Sequence, residues 1–238
     1  LAPGTADRLL ELARAAQAGS DKQLQLVRAV AAHAVTGEQL DVVAGFLEGT
    51  SALEGLDVDQ DLRWDLLTGL VAACRFGEDR IHAEEARDRT TTGRERAAES
   101  RAAIPTPEAK EATWRALVDD ASMPNETQVR VLRGLTSVER RPDLLVPFVS
   151  EYVEAIDSLW SSRTFHMAEN LLTGLWSCAT VGLDGADPAA ALEGWLESHA
   201  QAPAALRRIV RENLDDTRRV VSAQACQAAA ANSDEEPR

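Results

Sequence analysis

The chain has 238 residues, 45% of them hydrophobic, which is enough apolar material to bury a sizeable core as one long domain or as two merging halves. Its formal charge of -14 excludes the cationic footprint on which binding to nucleic acid or to an anionic membrane rests. Three cysteines, Cys74, Cys178 and Cys226, are odd in number and far apart, which excludes a disulfide framework or a C-x-x-C metal pair; they are expected to be buried small apolar residues in a reducing compartment.

No segment approaches the roughly eighteen continuous apolar residues of a membrane span, and the N-terminus lacks a basic-then-apolar signal pattern. The expected product is a soluble, cytoplasmic protein. Because the sequence starts at Leu1 without an initiator methionine, it reads as a piece of something longer.

Taken in order, the apolar residues recur with helical spacing nearly everywhere and with strand alternation nowhere. The first helix is expected over residues 5–18, with Leu9, Leu12 and Ala16 on one face and Gly19 closing it. A second spans residues 21–34 and presents Leu24, Val27 and Ala31. Thr36-Gly-Glu-Gln39 fits a capping box, which opens a helix carrying Leu40, Val43 and Leu47. After an irregular stretch over residues 48–61, residues 62–75 are apolar on more than one side, so a helix flanked by neighbours on both sides is implied. Residues 78–87 and 93–103 follow as two amphipathic helices. Seven arginines against seven acidic residues between positions 75 and 101 read mainly as solvated faces laced with ion pairs.

Thr106-Pro107 is a start signal, a capping hydroxyl followed by proline at the first helical position, for a helix bearing Trp114, Leu117 and Val118. Asn125-Glu-Thr-Gln128 repeats the capping-box pattern ahead of Val129, Leu132 and Leu135. Pro142 and Pro147 suit helix starts, and the run Phe148, Val149, Tyr152, Ile156, Leu159 and Trp160 begins near the second. Further helices are expected over residues 165–178, from Asp187-Pro188, and from near Pro203, the last carrying Leu206, Ile209, Val210, Leu214 and Val221. Residues 229–238 are small, acidic and polar and are expected to be a disordered tail.

About eleven or twelve helices joined by short turns give an all-α fold, an irregular α-solenoid of stacked antiparallel helix pairs of the HEAT/armadillo-like kind, over residues 1–228 as a single domain. One internal echo supports a repeat: Asp65-Leu-Leu-Thr-Gly-Leu70 returns as Asn170-Leu-Leu-Thr-Gly-Leu175.

The residues that could carry chemistry mostly fail to assemble a site. The four histidines, His33, His82, His166 and His199, are scattered and none lies in H-E-x-x-H, and His82-Ala-Glu84 lacks the P-C-x-x-C that would complete a deaminase zinc site. Asp57-x-Asp59-x-Asp61 imitates a calcium loop, but Leu62 and Thr68 stand where that loop needs its Gly and Glu, so helix capping by Asp59 or Asp61 is the reading. Asp215-Asp216 lacks the third carboxylate of a magnesium-binding D-D-x-x-D, since Arg219 occupies its place. No G-x-S-x-G and no Gly-rich phosphate loop occurs. The five tryptophans fall on five helices at apolar positions and read as core. Arg207, Arg208, Arg211, Arg218 and Arg219 make the final helix net positive; it is expected to dock on acidic neighbours such as the eight acidic residues between positions 38 and 65, or otherwise to anchor a carboxylate.

Read as a whole, one stretch is a fingerprint. Asp88-x-Thr90-x-x-Gly93-Arg94, followed by Arg101-Ala-Ala-Ile-Pro-Thr-Pro-Glu-Ala-Lys110 and Trp114, resembles the C-terminal helical domain of M1-family zinc aminopeptidases of the actinobacterial aminopeptidase N type. Leu145-Val-Pro-Phe148, Tyr152, Trp160, Arg163 and Pro203-Ala-Ala-Leu-Arg-Arg-Ile-Val210 are similar to the same domain, in the same order. The resemblance implies a HEAT-like bowl that closes over a catalytic domain of the same polypeptide and limits which peptide substrates reach it. It also implies that zinc and the catalytic residues lie upstream, in the family's H-E-x-x-H, G-A-M-E-N and tyrosine motifs. None of those motifs occurs here, so no catalytic residue and no metal ligand is expected in this chain, which alone should be inactive. Arg94 and Arg163, which sit in the matched segments, are the candidate peptide-binding residues. A free-standing α-solenoid interaction scaffold is the alternative.

Overall fold

A computed structural model describes residues 4–138 and 140–234, with side chains described as far as residue 229. The helices are α1 (Gly4–Ala15), α2 (Asp21–His33), α3 (Gly37–Glu48), α4 (Gln60–Ala72), α5 (Glu78–Arg87), α6 (Thr91–Ala102), α7 (Pro107–Asp119), α8 (Asn125–Leu135), α9 (Phe148–Ser162), α10 (Phe165–Gly174), α11 (Pro188–Ser198) and α12 (Ala204–Asp234). Single 3₁₀ turns stand at Pro142–Leu145 and Cys178–Thr180, and no strand occurs among the described residues. The all-α fold of stacked helix pairs follows from the periodicity.

Short polar side chains set the helix starts by satisfying amides that have no partner within the helix. Ser20 accepts from the Gln23 amide, Asp59 from Leu62, Thr90 from Gly93 and Asp187 from Ala190. Thr36 and Gln39 form the full reciprocal capping box that opens α3. Thr106 accepts from the Ala109 amide at 3.2 Å and so starts α7 as its Thr-Pro signal predicts. One expected cap moves: Pro124 stands at the cap position of α8 and Asn125 is already helical, because the extended backbone of Pro124 (ψ 145°) provides the entry.

The chain divides into two compact units, one of residues up to Leu117 together with Met123–Arg141, the other of Val118–Ser122 and the residues from Pro142 on. In the first, α1 packs on α2, α3 on α4 and α5 on α6, while α4 also meets α2 and α6, and α6 meets α8. Leu62, Trp64, Leu66, Leu67, Leu70 and Val71 of α4 are all at most 1% exposed, so this helix is enclosed on every side, as its all-round apolar pattern requires. In the second unit α9 packs on α10 and α11, and α12 on α10 and α11. There Tyr152 is fully buried; its hydroxyl donates to the Leu172 carbonyl at 2.7 Å and accepts from the Asn213 amide at 2.9 Å. Burial pushes the Tyr152 phenol up. The echoed segments occupy α4 and the end of α10, where Leu66, Leu67 and Leu70, and Leu171, Leu172 and Leu175, are buried.

The fingerprint stretch acquires a physical meaning in the first unit. Asp88 is buried; its carboxylate accepts from the Trp64 indole at 2.9 Å and from the Thr90 hydroxyl at 2.7 Å, while Thr90 in turn caps α6. Gly93 is required because a Cβ there would stand 2.2 Å from the Asp88 carbonyl oxygen and 2.5 Å from its carboxyl carbon. Lys110, fully buried, donates from Nζ to the carbonyls of Ala102, Gly134 and Leu135 at 2.7, 3.0 and 3.0 Å, and so joins the C-terminal ends of α6 and α8.

Two buried carboxylates of this unit make its stability acid-sensitive. Burial on its own would raise Asp88, but the hydrogen bonds from Thr90 and Trp64 outweigh it and hold the carboxyl below its ordinary range. Burial would likewise raise Glu84, and Arg63 with Gln60 outweighs it, so Glu84 is also held low. A carboxylate whose folded pKa lies below its unfolded one contributes fully above the unfolded value and loses that contribution as pH falls through the folded value. Urea midpoints of the native chain are therefore expected to fall as the pH drops below about 5, and Asp88→Asn should flatten that fall while lowering stability at neutral pH. An unchanged acid slope in the variant would show that Asp88 is not held low.

Several expectations are corrected. α1 buries Ala6, Leu10 and Ala13, with Leu9 only at the margin of the core, since the small alanines let it approach α2 closely. α10 ends at Gly174 and not at Cys178, and Trp176 lies in the following turn, although it remains buried. Cys74 and Cys226 are exposed and Cys178 half-buried, not core: Cys74 sits past the end of α4 at φ 58°, and Cys226 lies on the exposed run of α12. That run also carries Val221, which is exposed. Helix α12 runs to Asp234, and residues 235–238 of the segment expected as a tail over 229–238 lie outside the described residues. No described helix is long and apolar enough to cross a membrane.

Candidate functional site

The first unit holds a polar cleft of about 340 Å³ lined by residues of α2, α4, α6 and α8 and of the segment after α8. Helical spacing places the charges in and behind it. Asp65 and Thr68 are one turn apart on α4, Arg96 and Glu99 one turn apart on α6, and Arg130 and Arg133 one turn apart on α8. Arg28 of α2 completes the set.

These groups form one connected network. Arg28 Nε lies 2.7 Å from Asp65 Oδ2, and Arg96 Nη2 donates to Asp65 Oδ1. Arg96 Nη1 donates to Glu99 Oε2 at 2.8 Å, and Arg130 reaches the same oxygen at 3.3 Å. Arg133 is more distant, 3.9 Å from Glu99 Oε1, and its side chain is 60% exposed. Arg96 and Glu99 are buried, with side chains 6% and 5% exposed, so the reading of α6 as a solvated charged face is wrong at its centre. The reason is that α6 offers only Ala97, Ala102 and other small residues to its neighbours, and the space between α4 and α8 is filled by ion-paired side chains. Burial on its own would lower Arg96, but Glu99 and Asp65 outweigh it, and the guanidinium is held above its ordinary value. Ser100 and Thr68 share a hydrogen bond of 2.7 Å beside the network.

The two candidate arginines lie elsewhere. Arg94 is exposed on α6 and donates to Thr91 Oγ1 at 3.1 Å and to the Arg89 carbonyl at 3.4 Å, within its own turn. Arg163 stands in the second unit at the end of α9 and donates to the Val118 carbonyl at 2.7 Å. Neither lines the cleft. The arginines of α12 do dock on acidic neighbours, but on different ones from those expected: Arg208 pairs with Glu169 and Glu212, and Arg218 with Glu193, all in the second unit. Arg207 instead caps carbonyls of Leu196 and His199. The acidic residues between positions 38 and 65 take other partners, such as Arg75 for Asp41 and Arg80 for Glu48.

The cleft residues escaped sequence reasoning because buried and solvated Arg-Glu pairs look alike in one dimension. The usable signal was a helix, α6, with charges at i and i+3 and no large apolar residue to bury in their place. No group of three or more His, Cys, Asp or Glu among the described residues could hold a metal ion. Glu84 of the His82-Ala-Glu84 pattern is committed to Arg63 at 2.6 Å, and Asp59 of the calcium-like run is the cap of α4.

Comparison with known sequences decides the family. Residues 5–219 match the ERAP1-like C-terminal domain. The chain belongs to that family. It is also 43% identical over 218 residues to an aminopeptidase N of Streptomyces lividans, an alignment that covers 92% of this chain and 25% of that protein. The ERAP1-like C-terminal domain described here thus spans about a quarter of the length of the curated relative it matches. Within it, the fingerprint residues Asp88, Thr90, Gly93 and Lys110 all serve as helix-junction contacts of the first unit.

Proposed function

We propose that this chain is the C-terminal accessory domain of an M1-family zinc aminopeptidase, in which it closes over the catalytic domain of the same polypeptide and controls peptide access while that enzyme removes N-terminal residues. The observation that carries this reading is the 43% identity to an aminopeptidase N, sustained over 92% of the chain. The family match over residues 5–219 runs through both compact units, which supports treating residues 1–228 as one functional domain, with 229–238 as a tail. Zinc and the catalytic groups belong to the upstream part, and the parent enzyme is cytoplasmic in this reading. The domain contributes surface and shape, not reacting atoms.

Arg94 and Arg163 are the proposed peptide contacts, each able to bind a carboxylate or a peptide carbonyl through its guanidinium. Two tests apply. The reading frame upstream of Leu1 is expected to encode H-E-x-x-H and a G-A-M-E-N loop, and an unrelated upstream sequence would remove the reading. In the parent enzyme, Arg94→Ala and Arg163→Ala are expected to change how kcat/KM depends on peptide length; an unchanged dependence would remove both residues from the peptide path.

A further inference from the structure

The cleft between α2, α4, α6 and α8 is a cationic feature of a strongly acidic chain. Four guanidinium groups, Arg28, Arg96, Arg130 and Arg133, meet two carboxylates, Asp65 and Glu99, which leaves two positive charges uncompensated within the network; a further arginine, Arg140, also lines the cleft and donates to the Ala34 carbonyl. Exposure divides it into two layers. Arg96 is buried and takes one oxygen of each carboxylate, and Arg130 reaches Glu99 as well, so two guanidinium groups already match the two carboxylates from within. Arg28 and Arg133 carry the excess where the cleft opens, with side chains 32% and 60% exposed. Among the described residues the two terminal nitrogens of Arg28 take no hydrogen bond, and Arg133 makes only its 3.9 Å approach to Glu99.

A guanidinium presents two parallel N–H groups that match a pair of oxygens on one anion. Two such forks facing one cavity, backed by a network in which cations outnumber carboxylates, suit a dianion better than a monoanion. The cavity, about 340 Å³, lies at the small end of ligand-sized pockets and admits a compact group. We propose that the cleft binds a small doubly charged oxoanion, free phosphate or the phosphate of a small monoester, through Arg28 and Arg133. Binding would tie α2 to α8 across α4 and so stiffen the first unit. This site is independent of the peptide contacts proposed above, since it involves neither Arg94 nor Arg163.

The test is calorimetric titration of the 238-residue chain with inorganic phosphate, at about pH 8 where phosphate is a dianion and at constant ionic strength set with chloride. Saturable binding at one site is expected, with sulfate competing and acetate binding at least about tenfold more weakly. Phenyl phosphate in place of phosphate separates the sources: tighter binding assigns the site to an ester, weaker binding to the free ion, and either fits the proposal. Arg133→Gln is expected to weaken phosphate at least about tenfold, and Arg28→Gln, which carries the same test if the first variant does not fold, should do likewise. No saturation in the millimolar range, acetate binding as well as phosphate, or variants that bind like the native chain would overturn the proposal.

Discussion

Lys110→Met is expected to cost roughly 3–5 kcal/mol of stability, among the largest effects of any single substitution in the chain. The ammonium of Lys110 donates to three carbonyls, those of Ala102, Gly134 and Leu135, at the C-terminal ends of α6 and α8. Those ends carry the negative poles of two helices, and a single buried cation satisfies both. Methionine fills the same volume but donates nothing, so the carbonyls are left buried without that partner. Lys110→Arg should recover only part of the loss, because a planar fork cannot aim three N–H groups as a tetrahedral ammonium does. Urea unfolding followed by tryptophan fluorescence reads the effect, since Trp64 and Trp114 are buried in the same unit. A loss below about 1 kcal/mol would show that the junction is held by packing alone.

Gly134→Ala should be damaging for a related reason, at about 3 kcal/mol or more, even though alanine is by itself the better helix former by about 1 kcal/mol. A Cβ at position 134 would stand 2.1 Å from the Glu99 carbonyl oxygen and 2.7 Å from Ala102 Cβ, so α8 could keep its place only by moving off the backbone of α6. Gly194→Ala is the matched control. Nothing lies within 4 Å of a Cβ there, and the substitution in α11 is expected to stabilise by roughly 0.5–1 kcal/mol. Equal effects at the two positions would contradict the close α6–α8 crossing. Lys110 and Gly134 share a hydrogen bond, so a double variant should cost less than the two single losses together.

How much of this was legible in the sequence depended on whether the signal was local. Helix starts were readable because capping chemistry is completed within about four residues, as at Thr36, Asp59, Thr106 and Asp187. The enclosure of α4 was readable from its apolar residues on every side. Burial of charge was not. Arg96, Glu99 and Lys110 are hidden by partners between 24 and 35 positions away or by the junction of two helices, and nothing in their own neighbourhood distinguishes them from solvated residues. The cysteines failed in the opposite sense, since their type favours burial while Cys74 follows a helix end in a left-handed turn and Cys226 stands on the exposed run of α12.

The fingerprint residues therefore have structural duties, and the family they mark is one whose matched relative is about four times longer than this chain. The proposed role is to restrict access to an active site supplied by the remainder. The most direct measurement compares the parent aminopeptidase with and without residues 1–238 on a ladder of peptides of increasing length and on a single-residue chromogenic amide. The account predicts that removal abolishes the dependence of kcat/KM on peptide length, and that adding the 238-residue chain in trans restores it. A length dependence unchanged by the removal would contradict it.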